Sequence, residues 1–145
     1  MNSSQAGSAK LDAPSALVTP VVRYGDLIFV SGQLPRRDGE ITARGVVGDQ
    51  CAVEDARAAA ALSAEACLKL AAQAADGENF VVAKITGFVA SAPLATHMGA
   101  VIDGASEYLL KNLGEEAGRH ARSAVGVAAL PHNASVEVEM IARIL

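Results

Sequence analysis

Apolar residues recur along this chain with two different periods, and the switches between them outline the elements. From Leu17 to Val22 the residues are apolar and mostly β-branched, with Pro20 interrupting, which predicts an edge strand. Tyr24-Gly25-Asp26 reads as a turn and Leu27-Ile28-Phe29-Val30 as a short buried strand, ended by Ser31-Gly32-Gln33-Leu34-Pro35. Arg36 to Gly39 is a polar turn, and Glu40 to Gly48 is a glycine-containing return segment. The period then changes to that of a helix over residues 51–75, with Ala59, Leu62, Ala66, Leu70 and Ala74 on one face. Asp49 is the candidate N-cap of this helix, Glu54 and Asp55 suit its first turns, and Asp76-Gly77 stops it.

Phe80 to Ala90 is rich in β-branched and aromatic residues and predicts a central strand, closed by Ser91-Ala92-Pro93. A second helix follows from about Thr96 to Asn112, with Val101, Ala105, Leu109 and Tyr108 turned inward and Gly114 as its C-cap. Residues 114–122 read as a polar loop. Two last strands, Ser123 to Leu130 and Ala134 to Ile144, are joined by Pro131-His132-Asn133, a link short enough to predict an antiparallel hairpin. The order β, β, α, β, α, β, β implies an α+β domain: one sheet with two helices packed on a single face. The expected organisation is a flexible arm over residues 1–15 and one domain over residues 16–145.

Composition narrows the function. The chain is 51% hydrophobic but only 3% aromatic, and much of its apolar content is Ala and Val, so the core must be built by close approach of small side chains. A formal charge of −4, with Arg36-Arg37 as the only adjacent basic pair, disfavours a nucleic-acid binder, which needs cations clustered on one face. No stretch reaches the roughly 20 apolar residues of a membrane helix, and the first sixteen residues carry no signal-peptide pattern, so the expected location is cytoplasmic. Cys51 and Cys67, read as lying on one helix, would be ~24 Å apart and unable to bridge, so both are expected to be buried thiols.

Two places carry candidate chemistry. In Ser135-Val136-Glu137-Val138-Glu139-Met140 strict alternation puts Glu137 and Glu139 on one face of the strand and the valines and Met140 on the other. If the helices cover the valine face, the glutamates either face water or, where copies assemble through that face, become partly buried with a raised pKa suited to acid/base work. Arg122 stands at the entry to the first hairpin strand, and its planar fork can bind a carboxylate through two parallel hydrogen bonds; a lone arginine at a strand start is more often a surface cation. His97, His120 and His132 share no metal-ligand spacing and read as surface or loop residues. Asp103 and Glu107, four apart, read as a solvated helical face, and Ser31 has neither a nucleophile elbow nor a His-Asp pair around it.

Ser31-Gly32-Gln33-Leu34-Pro35 resembles the N-terminal signature of the RidA/YjgF superfamily, and Ala121-Arg122-Ser123-Ala124-Val125-Gly126-Val127-Ala128-Ala129-Leu130-Pro131, followed by Val136-Glu137-Val138-Glu139, resembles its C-terminal one. The similarity covers about residues 17–143, and the longer segment before Arg122, Gly114 to His120, resembles the subgroup described as YjgF-like endoribonucleases. The resemblance implies a chorismate-mutase-like fold, a homotrimer with clefts between subunits, no cofactor and no metal, and hydrolysis of small enamine or imine carboxylates to 2-oxoacids and ammonia. On that carry-over Arg122 clamps the substrate carboxylate and Glu137 positions or activates water. Ser31 and Gly32 help to hold the imine, and Ala124 lines the site where many members have Cys. Val18 stands where the family usually has Tyr, a departure that bears on substrate choice. The alternative is a non-catalytic trimer that binds a carboxylate metabolite; endoribonuclease activity is a distant third, because acidic charge and few aromatics suit RNA poorly.

Overall fold

The computed structural model describes residues 17–145, and the expectation for the first fifteen residues lies outside them. Strands β1 (Val21–Tyr24) and β2 (Leu27–Gln33) form a hairpin around Gly25, whose φ of 64° suits a residue without Cβ. A two-residue ladder, β3 (Arg36–Arg37) with β4 (Glu40–Ile41), folds over Asp38-Gly39. Helix α1 (Val53–Ala75), strand β5 (Phe80–Ala90), helix α2 (Met98–Gly118), strand β6 (Ala121–Val127) and strand β7 (Val136–Ile144) follow. The main sheet has the order β1-β2-β7-β5-β6, antiparallel except for the parallel β5–β6 pair. Both helices cover one face, as the element order implied.

The predicted C-terminal hairpin is not formed. β6 lies at the sheet edge, parallel to β5, whereas β7 is inserted between β2 and β5. The reason lies in the side chains. β7 buries Val136, Val138, Met140, Ala142 and Ile144, and so many apolar residues need a strand flanked on both sides. ARSAVGV in β6 buries none fully, which suits an edge. The link between them is a 3-10 turn, Pro131–Asn133, with His132 and Asn133 both at φ 59°.

The face of α1 is also rotated from expectation. Ala56, Ala59, Ala60, Ser63, Ala64, Cys67, Ala71 and Ala75 are buried, while Leu62, Ala66, Leu70 and Ala74 are half-buried. In an alanine-rich helix several faces read as apolar, and the one with the smallest side chains allows the closest approach to the sheet. Cys67 illustrates that approach: its Sγ lies 3.2 Å from the Val138 carbonyl, and burial pushes the thiol up to about 12. Cys51 is buried and free but precedes the helix, whose N-cap position is Ala52 and not Asp49. In α2, Val101, Ala105 and Leu109 are buried as predicted, Tyr108 is half-buried, and Ile102 joins them. Gly114 takes φ 83°, yet a further helical turn runs to Gly118, so part of the predicted polar loop is helix. Among the described residues no helix is long and apolar enough to cross a membrane.

Candidate functional site

Arg122 lies opposite Ile85 in the parallel β5–β6 ladder. Residues opposite one another share a face, and Ile85 is fully buried, so Arg122 points to the helix side of the sheet. There α2 meets it. Arg122 Nη1 donates to Asp103 Oδ1 at 2.8 Å and to Ser106 Oγ at 3.2 Å. Ala124, opposite Gly87, lies half-buried on the same face two residues on. Asp103 and Glu107 stay open to water, as a solvated face implies, but each also holds an arginine. The first holds Arg122, and the second binds Arg57 Nη2 at 2.6 Å, tying α2 to α1.

Glu137 lies on β7 opposite Phe88 and faces the other way, to the side the helices leave open. The alternation predicted for this strand holds: Val136, Val138 and Met140 are buried, Glu137 is half-buried and Glu139 is exposed. Burial first, and then the charge of Glu139, push the Glu137 carboxyl above the ordinary glutamate range. Gly32 makes room for it: a Cβ at that position would fall 2.5 Å from Glu137 Oε2. The β2–β7 register shifts between Val30 and Gln33, so Ser31 and Gly32 sit in an irregular stretch that brings the backbone to the carboxylate. The Ser31 amide is already used by the Pro20 carbonyl at 2.9 Å, and its hydroxyl donates to the Thr19 carbonyl at 3.2 Å. The Ser31 N–H is thus engaged within the chain.

Within the chain the predicted residues form two groups and not one. Arg122 and Ala124 lie on the helix side of an edge strand; Ser31, Gly32 and Glu137 lie on the open side, nearer the middle of the sheet. Since β5 intervenes between β6 and β7, the two strands are roughly 10 Å apart, and the side chains point away from each other. The pairing of Arg122 with Glu137 on neighbouring strands, expected from the hairpin, is absent.

Two further residues join the Arg122 group: Ser106, and His120, which reads from sequence as a surface or loop residue. His120 Nε2 lies 2.9 Å from Ser106 Oγ, and His120 Nδ1 lies 2.6 Å from the Gly118 carbonyl. Together with Arg122 and Arg119 they line a small pocket at the end of α2. His120 stands two residues before Arg122, just ahead of β6, and that spacing was the available signal. Among the described residues no group of three His, Cys, Asp or Glu side chains is placed to hold a metal.

The raised pKa of Glu137 has a consequence for stability. A folded-state pKa above the unfolded value means that the folded chain takes up this proton more readily. Its relative benefit is complete below the ordinary glutamate range and is lost as pH rises through the folded value. Glu137→Gln is therefore expected to raise Tm at pH 7 and to leave it nearly unchanged near pH 3.5. Thermal melts of both proteins across that range check this, and a variant destabilised at pH 7 would contradict it.

Comparison with known proteins places this geometry. The family model described as endoribonuclease L-PSP matches residues 8–144. A protein from Trypanosoma cruzi, TCP17, is 40% identical over 137 residues, covering 91% of this chain and 86% of that protein. The crystal structure of Atu1372 from Agrobacterium tumefaciens, of unknown function, matches with TM-score 0.85 and 44% identity over 90% of this chain and 83% of the other. Escherichia coli TdcF, solved with bound serine, matches with TM-score 0.62 and 29% identity over 87% of each chain. With its mixed five-stranded sheet, two helices on one face and both signature segments in place, the chain belongs to the endoribonuclease L-PSP family, the YjgF/RidA superfamily.

Proposed function

We propose that this protein hydrolyses small imine or enamine carboxylates to 2-oxoacids and ammonia in a cleft completed between two copies of the chain. The observation that carries the reading is the division of the site. Arg122 stands at an edge strand with part of its guanidinium uncommitted, and Glu137 stands on the uncovered sheet face beside Gly32 with its pKa raised. Neither half suffices alone, and a second protomer set against the first can supply the missing half. Leu27, Phe29 and Tyr24 leave substantial apolar surface exposed around the open face, which favours a covering partner. A homotrimer, with three equivalent clefts, is the proposed assembly. The serine bound to TdcF is an amino-acid carboxylate, which agrees with a carboxylate ligand here.

In this cleft Arg122 of one protomer binds the substrate carboxylate and orients the C=N bond. Glu137 of the neighbour takes a proton from water as the water oxygen bonds to the imine carbon and the C=N electron pair moves to nitrogen. Return of that proton to nitrogen gives the carbinolamine; Glu137 then takes its hydroxyl proton and passes it to nitrogen as the C–N bond breaks, leaving the ketone and ammonia. A carboxylate whose pKa lies above the usual range is a better base for the first step. Val18, at the position where the family usually has Tyr, bears on substrate choice, and its neighbour Thr19 is held by the Ser31 hydroxyl through its carbonyl. The direct test generates 2-iminopropionate in solution and follows its decay. Acceleration over the uncatalysed rate supports the reading. Carboxylate-dependent thermal stabilisation without acceleration would instead favour a non-catalytic binding protein.

A further inference from the structure

The hydrogen bonds around Arg122 have directions that can be assigned atom by atom. The Gly118 carbonyl oxygen can only accept, and it lies 2.6 Å from His120 Nδ1, so Nδ1 carries a proton. In the neutral imidazole Nε2 is then an acceptor, and at 2.9 Å it takes the proton of the Ser106 hydroxyl. The Ser106 oxygen is left with its lone pairs, one of which accepts from Arg122 Nη1 at 3.2 Å. The other Nη1 proton goes to Asp103 Oδ1 at 2.8 Å. Nη1 has two protons and both are used. The donors that remain are those of Nε and Nη2, which together form the side-on edge of the guanidinium fork. Gly99, in the first turn of α2, lies against Nη2: a Cβ there would sit 3.6 Å from it, an ordinary contact that the bare glycine leaves unfilled.

We propose that Ser106 and His120 are positioning residues that lock the Arg122 guanidinium so that its Nε–Nη2 edge, and not its Nη1–Nη2 end, receives a planar carboxylate. The inference rests on Arg122 being a carboxylate clamp and gives that clamp an orientation. Asp103 alone holds one point of the group and leaves its plane free to turn. The bond to Ser106 supplies the second point. His120 acts through Ser106, because accepting the hydroxyl proton keeps that proton turned away from the cation. A ligand with two coplanar oxygens fits the remaining edge; a single hydroxyl or carbonyl uses only half of it.

The test compares Ser106→Ala, His120→Phe and His120→Gln. Phenylalanine keeps a ring without nitrogen, whereas glutamine keeps an amide oxygen that can accept from Ser106. In nitrogen-15 spectra, the Nη1 and Nη2 signals of Arg122, identified by their loss in Arg122→Lys, are expected to be separate in the unmodified protein. They are expected to merge in Ser106→Ala and His120→Phe and to stay separate in His120→Gln. For 2-iminopropionate, KM should rise about tenfold in the first two variants, with kcat within about twofold and near-normal KM restored by glutamine. Separate signals and unchanged KM in both Ser106→Ala and His120→Phe would overturn the proposal. If the unmodified protein does not turn over the imine, the proposed function fails, and the spectra alone decide the positioning claim. Should Ser106→Ala not fold, the phenylalanine and glutamine pair at position 120 gives the same decision.

Discussion

Arg122→Ala is expected to lower kcat/KM for 2-iminopropionate by roughly ten- to a hundredfold, the equivalent of about 1.5–3 kcal/mol for losing hydrogen bonds to a charged group. The fold should survive the change. Arg122 sits at an edge strand and its ion pair with Asp103 is partly exposed, at 27% and 48% for the two side chains. Pairs of this kind add at most about 1 kcal/mol to stability. Lost activity with an intact melting transition would therefore locate the effect in ligand binding and not in folding. Arg122→Lys keeps the charge but not the fork, and should recover only part of the loss. Imine-decay rates of the three proteins, measured beside their thermal melts, check this. An unchanged rate in Arg122→Ala would remove Arg122 from the site.

The largest effect on the fold is expected at Gly104. This glycine is buried in α2 where the helix crosses α1, and a Cβ there would run into the backbone carbonyl of Arg57. A side chain can swing aside, but a carbonyl inside a helix cannot, so the two helices must separate. Bonds on both sides of the crossing would be stretched: Arg57 Nη1 to the Ala100 carbonyl at 3.3 Å and Arg57 Nη2 to Glu107 Oε2 at 2.6 Å. Gly104→Ala should cost about 3 kcal/mol, near the upper range for overpacking, and lower Tm by roughly 10 °C. Gly99→Ala is the control. It lies in the same helix and meets only ordinary contacts, so the better helix former should leave stability unchanged or raise it by up to about 1 kcal/mol. A Tm for Gly104→Ala equal to that of Gly99→Ala would contradict the close helix contact.

Much of this architecture was legible because hydrophobic period responds to local geometry. The 80–90 strand, the buried side of the 136–144 strand and the course of both helices follow from spacing alone. The pairing of strands did not follow. A short link between two strands resembles a hairpin, but pairing is decided by which strand can bury both flanks, and β7 outcompetes β6 for the centre. The useful signal was the contrast between VEVEMIARI and ARSAVGV. The inward face of α1 was missed for a related reason: in a run of alanines the period is degenerate, and contact distance to the sheet selects the face. At the site, the signature segments identified Arg122, Gly32 and Glu137 as residues of interest, and the structure sets Gly32 against Glu137. Arg122 on the opposite face, and its hydrogen bonds to Asp103 and Ser106, depended on tertiary placement of α2 over β6. Those contacts join residues 16 and 19 positions apart, beyond the reach of local pattern.

The central claim is that Arg122 of one copy and Glu137 of another complete each cleft, and subunit mixing tests it most directly. Arg122→Ala and Glu137→Gln proteins, each of reduced activity alone, are mixed in equal amounts under conditions that exchange subunits, and imine decay is followed. In a ring of mixed subunits about a quarter of the clefts would combine an intact arginine with an intact glutamate, so activity should recover to about a quarter of that of the unmodified protein. A mixture that exchanges subunits yet shows no more activity than the average of its two components would contradict a site shared between copies.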